Sequence, residues 1–127
     1  MAALTPGRFR FGRTSRIKQR RDFIRARQDG ERLTFGCLII NWRRLTADTQ
    51  SRLGVITSKR VGGATARSRA RRLLRESFRL HQHELVRPID LVVVARPSID
   101  GKDFIAVERD FLISLRKAGL LRGMGVT

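Results

Sequence analysis

The chain has 127 residues, which is enough for one domain and leaves little room for a second. Its 28 Lys and Arg against 11 Asp and Glu give a formal net charge of +17, typical of a nucleic-acid-binding protein, while 41% hydrophobic residues exclude a purely disordered basic tail. A single cysteine excludes an intramolecular disulfide and a cysteine-based zinc cluster, and no apolar run approaches the roughly 18 residues of a membrane span.

The first half of the chain predicts one helix and two strands. Residues 1–15 show no repeating pattern and are expected to form a flexible basic N-terminal arm. A helix is expected at Arg20–Gln28, stopped by the Asp29-Gly30 pair. Phe35–Trp42 is apolar at its centre and predicts a buried strand, and Arg52–Ser58 predicts a second strand.

The second half predicts two helices around a central strand. The longest helical pattern spans Thr65–Leu85 and is closed by Pro88. Asp90–Ala95 is rich in β-branched residues and predicts a central strand, and a last helix is expected at Lys102–Ala118. The residues predicted to cap that last helix are Ser98 or Asp100 at its start and Gly119 at its end.

Positive charge is concentrated in two segments, residues 1–28 with net charge +8 and residues 59–79 with +7. In the long helix a 100° rotation per residue separates an apolar face from an arginine ridge. The apolar face comprises Ala66, Ala70, Leu73, Leu74, Ser77, Phe78, His81 and Leu85. The ridge comprises Arg69, Arg71, Arg72, Arg75 and Arg79, with Arg72 expected to attract Glu76 weakly. Forked guanidinium groups suit phosphate oxygens, so we expect the apolar face on a sheet and the ridge on nucleic acid.

No residue pattern is typical of a protein active site. Hydrolysis with two metal ions needs clustered carboxylates, and the basic segments contain only Asp22 and Glu76. Cys37 lies in an apolar run and is expected to be a buried, inert thiol, while His81 falls on the apolar face of the long helix. Gly62-Gly63 lacks the ending of a nucleotide-binding loop. We therefore predict no catalytic and no metal-binding residues in the protein.

The segment R-L-G-V-I-T-S-K-R-V-G-G-A-T-A-R-S-R-A-R-R-L-L-R-E-S-F-R, Arg52–Arg79, closely resembles the signature of the bacterial ribonuclease P protein subunit. That signature is a strand, then S-K-[KR], then x-G-x-A-x-x-R-N-R-x-[KR]-R-x-x-R-E. R-x-K-x-x-x-D-F at Arg16–Phe23 and L-V-V-V-A-R at Leu91–Arg96 agree with it, so the resemblance covers residues 16–118. Two positions depart from the pattern: the central Asn is Ser68, and a second aromatic in the first helix is Arg27.

The resemblance implies a single α+β domain at residues 16–121, followed by a C-terminal tail at 122–127. Its element order would be αβββαβα with a left-handed β-α-β crossover, a ribosomal protein S5 domain 2-like fold. It implies a subunit of an endoribonuclease that removes the 5′ leader of precursor tRNA in the bacterial cytoplasm. Catalysis would belong to the RNA subunit, which would hold the Mg²⁺ cofactor, and no protein partner or membrane would be required.

The resemblance also implies two RNA-binding surfaces. Residues implied to bind the catalytic RNA subunit are Lys59, Arg60, Arg67, Ser68, Arg69, Arg71, Arg72 and Arg75. Residues implied to bind the leader of precursor tRNA are Phe23, Arg27, Arg20 and Thr57. Stacking of a leader base would fall to Phe23 or to the guanidinium plane of Arg27.

Two alternatives stay open. A ribosomal protein that binds structured rRNA would share the charge and the fold, but would not need a groove for a leader. A DNA-binding protein with the arginine helix in a major groove would need base-reading Asn or Gln among the arginines, and residues 67–79 contain neither.

Overall fold

The computed structural model describes residues 15–122, in which the predicted order αβββαβα is confirmed. The elements are α1 (Arg20–Gln28), β1 (Glu31–Phe35), β2 (Leu38–Arg44), β3 (Arg52–Ile56), α2 (Ala64–His81), β4 (Ile89–Ala95) and α3 (Phe104–Lys117). The predicted bounds of α1 are correct. The arm predicted at residues 1–15, apart from Ser15, lies outside the described residues, as do residues 123–127.

The four strands form one sheet in the order β1-β2-β4-β3. Strand β2 is antiparallel to both β1 and β4, whereas β3 and β4 are parallel and are joined through α2. The prediction of a central strand near residue 90 is confirmed, because β4 lies between β2 and β3 and six of its seven residues are buried.

The buried strand predicted at Phe35–Trp42 is confirmed from Leu38 onward as β2, but its start is wrong, because a turn separates Phe35, the last residue of β1, from β2. Gly36 adopts a φ of +56°, which favours glycine. The buried Cys37 then donates its backbone N–H to Oδ2 of Asp110 in α3, 3.0 Å away. A carboxylate 73 residues further along the chain therefore stabilises the turn, and the local sequence does not reveal it.

Other boundaries also differ from the predictions. Strand β3 ends at Ile56 rather than Ser58, and α2 ends at His81, where a short 3₁₀ helix (Gln82–Glu84) replaces the predicted last turn. Helix α3 is capped by Asp103, whose carboxylate accepts the N–H of Ala106 at 2.9 Å, rather than by either residue predicted. Neither predicted residue caps α3, because Ser98 lies within a 3₁₀ helix at Pro97–Ile99 and Asp100 is the C-cap of that short helix.

The predicted end of α3 is confirmed at Gly119, which has a φ of +74°. The N–H of Gly119 bonds to the carbonyl of Arg116 at 3.0 Å, and the N–H of Leu120 bonds to that of Leu115 at 2.9 Å. This pair of bonds is the Schellman arrangement, which satisfies carbonyls left over at a helix end.

Helices cover both faces of the sheet. Leu91 and Val93 on β4 belong to the main core, which α2 and α3 complete on one face. Val92, which points to the opposite face, packs with Ala26 of α1 and with Ile17 in a second, smaller core. Within residues 15–122, no helix is both long and apolar enough to cross a membrane.

Candidate nucleic-acid interface

Helix α2 lies on the sheet in the predicted orientation. Its buried residues are Ala70, Leu73, Leu74, Ser77 and Phe78, all of them on the predicted apolar face. Arg72 is exposed on the opposite side, and Arg69, Arg71 and Arg75 are half-buried. Burial of the apolar face therefore places a ridge of guanidinium groups on the outside of the domain.

Arg71 is held in place by hydroxyl groups. Its Nη1 donates to Oγ1 of Thr57 at 2.7 Å, just after β3, and its Nη2 donates to Oγ of Ser68 at 3.2 Å. Ser68, which stands where the motif has Asn, thus orients an arginine one turn further along the helix. A guanidinium fixed in this way loses less conformational entropy when it binds a phosphate.

Arg75 lies close to two other guanidinium groups, those of Arg16 and Arg71. Burial and the positive charges of Arg16 and Arg71 lower the pKa of Arg75. Arg16 is brought here because it forms a parallel bridge with Leu53 at the outer edge of β3. Three like charges at one edge of the sheet repel one another, and a bound anion would relieve that repulsion.

The predicted attraction between Arg72 and Glu76 is wrong. Glu76 accepts two hydrogen bonds from Arg79 instead, at 2.9 Å to Nε and 2.6 Å to Nη2. This pairing lowers the pKa of Glu76 and raises that of Arg79. Arg72 forms no hydrogen bond or ion pair with any residue in the described range, so its guanidinium is available to a ligand.

The loop before α2 extends the basic ridge. Lys59 and Arg60 are exposed on a 3₁₀ turn, which Ser58 caps by accepting the N–H of Arg60 at 3.3 Å. The buried side chain of Val61 anchors this turn to the core. A depression of about 350 Å³ lies at the first turns of α2, and its lining residues are Ala64, Thr65, Ser68, Arg69 and Arg72.

A second surface lies beside α1. An open groove of about 490 Å³ is lined by Lys18, Arg20, Phe23, Ile24, Arg27 and Ile56. It thus brings together three of the four residues predicted to bind a leader. Thr57 does not line it, because its hydroxyl faces Arg71 on the α2 side. Lys18, Ile24 and Ile56 were missed, because their places in the groove depend on how α1 crosses the sheet.

Sequence reasoning also missed Asn41 on β2. Its side chain is only 1% exposed, and its Nδ2 has no hydrogen-bond partner among the described residues. Asn41 lines a depression of about 290 Å³ that shares Ile24 and Arg27 with the groove. An amide within the apolar run L-I-I-N-W was the available signal, since buried polar groups are normally bonded.

The remaining candidate groups have structural roles. Burial, together with the hydrogen bond and charge of Asp110, raises the pKa of Cys37 to about 12, so the prediction of an inert thiol is confirmed. His81 lies between two carboxylates, with Nδ1 2.7 Å from Glu84 and Nε2 2.8 Å from Glu108. Within residues 15–122, no three His, Cys, Asp or Glu side chains are grouped so as to hold a metal ion.

Comparison with known proteins identifies the family. The model of the family described as Ribonuclease P matches residues 11–119. The chain belongs to the ribonuclease P protein family. The ribonuclease P protein component of Dictyoglomus thermophilum is 34% identical over 119 residues, which cover 91% of this chain and 98% of that protein.

Solved structures agree with this assignment. The RNase P protein from Thermotoga maritima matches with a TM-score of 0.72 and 29% identity, over 80% of this chain and 96% of that one. The Staphylococcus aureus RNase P protein matches with a TM-score of 0.78 over 85% and 98% of the two chains, and at 24% identity it supports the fold alone. The resemblance seen in Arg52–Arg79 is therefore confirmed, and it supports the role of a subunit of ribonuclease P, a tRNA-processing ribonucleoprotein.

Proposed function

We propose that this ribonuclease P protein binds the catalytic RNA subunit through α2 and the 5′ leader of precursor tRNA through the groove beside α1. The observation that carries the proposal is the placement of these two basic surfaces on helices that cover opposite faces of one sheet. The two surfaces adjoin at the end of β3, where Ile56 lines the groove and the next residue, Thr57, accepts a hydrogen bond from Arg71. One small domain thereby contacts an RNA enzyme and its RNA substrate at the same time.

The ridge of α2 suits a folded RNA backbone. Arg72 is exposed without a carboxylate partner in the described range, and Arg71 is held ready by Thr57 and Ser68. Guanidinium groups bind phosphate oxygens through two parallel hydrogen bonds. The residues assigned to the RNA subunit are Lys59, Arg60, Arg67, Ser68, Arg69, Arg71, Arg72 and Arg75.

The groove suits an unpaired strand. Phe23 contributes an aromatic ring, Arg20 and Arg27 contribute positive charge, and Ile56 contributes apolar surface. Single-stranded nucleic acid binds where a basic groove follows the backbone and aromatic rings stack on bases. Thr57 is assigned here to the orientation of Arg71 rather than to a leader contact.

Chemistry is assigned to the RNA subunit with Mg²⁺. The described carboxylates nearest the two surfaces do not fit a metal site, because Glu76 is held by Arg79 and Asp22 faces Arg43 and Arg52. The contribution of the protein is electrostatic: two RNA molecules repel each other, and the +17 chain between them lowers that repulsion. The holoenzyme is accordingly expected to work at lower Mg²⁺ than the RNA alone, in the bacterial cytoplasm.

The experiment compares RNA subunit, protein and holoenzyme on precursor tRNA across a Mg²⁺ titration. We expect no cleavage by nuclease-free protein, and a lower Mg²⁺ midpoint for the holoenzyme than for the RNA alone. Cleavage by the protein alone, or identical midpoints, would contradict the proposal. Sequencing of RNA that co-purifies from the native host distinguishes the ribosomal alternative, which predicts rRNA rather than the ribonuclease P RNA.

A further inference from the structure

We propose that Asp22 is a positioning residue for the leader: it fastens α1 to the sheet through two arginines and so sets the shape of the groove. The inference rests on the proposed function of that groove. Asp22 itself lies beneath α1 and does not line the groove.

The anchor on the sheet is Asp90 of β4, whose side chain is 0% exposed. Arg52 of β3 grips it with two hydrogen bonds, 2.8 Å from Nε to Oδ1 and 2.7 Å from Nη2 to Oδ2. Arg43 of β2 adds a third, 3.2 Å from Nη2 to Oδ2. The three residues are direct neighbours in the strand register, so they form one row across three strands.

Asp22, in the first turn of α1, forms ion pairs with both arginines of this row. Its Oδ2 lies 3.4 Å from Nη1 of Arg52, and its Oδ1 lies 3.7 Å from Nη2 of Arg43. Each arginine therefore bridges a carboxylate of the sheet and a carboxylate of the helix. The first turn of α1 lacks a side-chain cap, since Gln19 makes no capping hydrogen bond, so these ion pairs are its polar attachment to the sheet.

The ion pairs of Asp22 affect the groove through Phe23, the next residue in α1. Phe23 follows Asp22, and its ring lies on Gly54, two residues along β3 from Arg52. The ion pairs therefore fix the first turn of α1 one step from the aromatic ring. Because Asp90 keeps its two-pronged bond to Arg52 without Asp22, loss of the Asp22 charge is expected to loosen α1 and leave the sheet intact.

The chain offers a matched control in Asp110. Asp22 and Asp110 are both 8% exposed, and both join a helix to the sheet region. Asp110, however, lies on α3 and accepts the N–H of Cys37 on the other face. Each substitution therefore removes one buried carboxylate charge. Asp22→Asn removes it next to the groove, and Asp110→Asn removes it on the other face of the sheet.

The experiment measures hydrogen exchange of the α1 amides in both variants. It also measures holoenzyme binding to precursor tRNA, mature tRNA and the RNA subunit. For Asp22→Asn we expect faster exchange at residues 20–28 and a preference for precursor over mature tRNA that falls about three- to tenfold, because a site loosens when its supporting contacts are removed. Affinity for the RNA subunit is expected to change less than about twofold, since α2 packs on the opposite face. Asp110→Asn is expected to leave unchanged both the hydrogen-exchange rates of the α1 amides and the preference for precursor over mature tRNA.

Unchanged exchange in α1, or an equal loss of preference in both variants, would overturn the proposal. A third variant, Phe23→Ala, distinguishes failure of the positioning role of Asp22 from failure of the proposed function of the groove. If Phe23→Ala lowers the preference and Asp22→Asn does not, the positioning role is wrong and the leader groove stands. If Phe23→Ala has no effect on the preference either, the groove does not bind the leader, and the positioning role for the leader is overturned with it.

Discussion

The ring of Phe23 lies directly on Gly54, so α1 approaches β3 more closely than any residue with a side chain at position 54 would allow. A Cβ built on Gly54 would stand 2.6 Å from Cζ of Phe23 and closer still to Cε1. One side of the ring thus packs on the sheet, while Phe23 also lines the open groove. The residue is both a packing contact and part of the proposed leader surface.

Gly54→Ala should therefore displace the Phe23 ring. We expect a loss of about 1–3 kcal/mol in the free energy of unfolding, as for other overpacked sites, and weaker binding of precursor tRNA. Denaturant unfolding and holoenzyme binding measure the two effects. In a Phe23→Ala background the alanine at position 54 should cost far less, and a penalty that persists there would show that the ring is not the obstacle.

Phe23→Ala should weaken holoenzyme binding to precursor tRNA by about 1–3 kcal/mol, the usual value for one stacked base. Mature tRNA has no leader, so its affinity should hold. Arg27→Ala should show the same selectivity with a greater loss of salt sensitivity, because it also removes a charge. Ile105→Ala on α3, which is exposed and distant from the groove, is the control. Equal losses for both tRNAs would contradict a leader contact.

Arg72→Ala and Arg79→Ala compare a free arginine with a paired one on the same helix. We expect Arg72→Ala to weaken binding to the RNA subunit by about 1–3 kcal/mol, and Arg79→Ala to have a smaller effect, because Arg79 is engaged with Glu76. Both should leave the melting temperature nearly unchanged. Leu74→Ala, a fully buried truncation, should instead cost roughly 2–5 kcal/mol of stability. The assignment of the ridge is wrong if the two arginine variants bind alike.

Binding of the protein to the RNA subunit should depend steeply on salt. With five or six arginines of α2 engaged, the slope of log affinity against log salt should be roughly −4 to −6, because each neutralised phosphate releases counterions. Filter binding between low and moderate salt measures it. A slope near −1 would mean that most arginines of the ridge remain in solvent and do not bind phosphates, which would contradict the assignment of α2 to the RNA subunit.

The contact between His81 and two glutamates should make stability depend on pH. Burial alone lowers the pKa of His81, but the hydrogen bonds and charges of Glu108 and Glu84 outweigh it and raise the pKa above 6.5. The protonated ring, which donates from both nitrogens, is therefore favoured in the folded state. Its stabilising effect should be complete below pH 6.5 and should fade as pH rises through the raised pKa. Unfolding at a series of pH values should show this decline, and His81→Gln should flatten it.

Local patterns in the sequence were sufficient for the helices and for the family. The spacing of apolar residues in α2 predicted which side is buried, because that side is set by 3.6 residues per turn wherever the helix packs. The segment Arg52–Arg79 predicted the family because its motif is continuous in the sequence and does not depend on contacts between distant segments. The missed start of the hairpin shows the limit: β1 is a mostly exposed edge strand, and its turn depends on Asp110.

Only the tertiary structure decided which distant side chains meet. Thr57, which follows β3, pairs with Arg71 on α2 rather than lining the groove. The row from Arg43 through Asp90 to Arg52 exists only once three strands align in register, and Asp22 meets it only once α1 crosses them. Helix faces follow from covalent spacing along one segment. Ion pairs and grooves form between segments, so they depend on packing angles and strand register that periodicity does not encode.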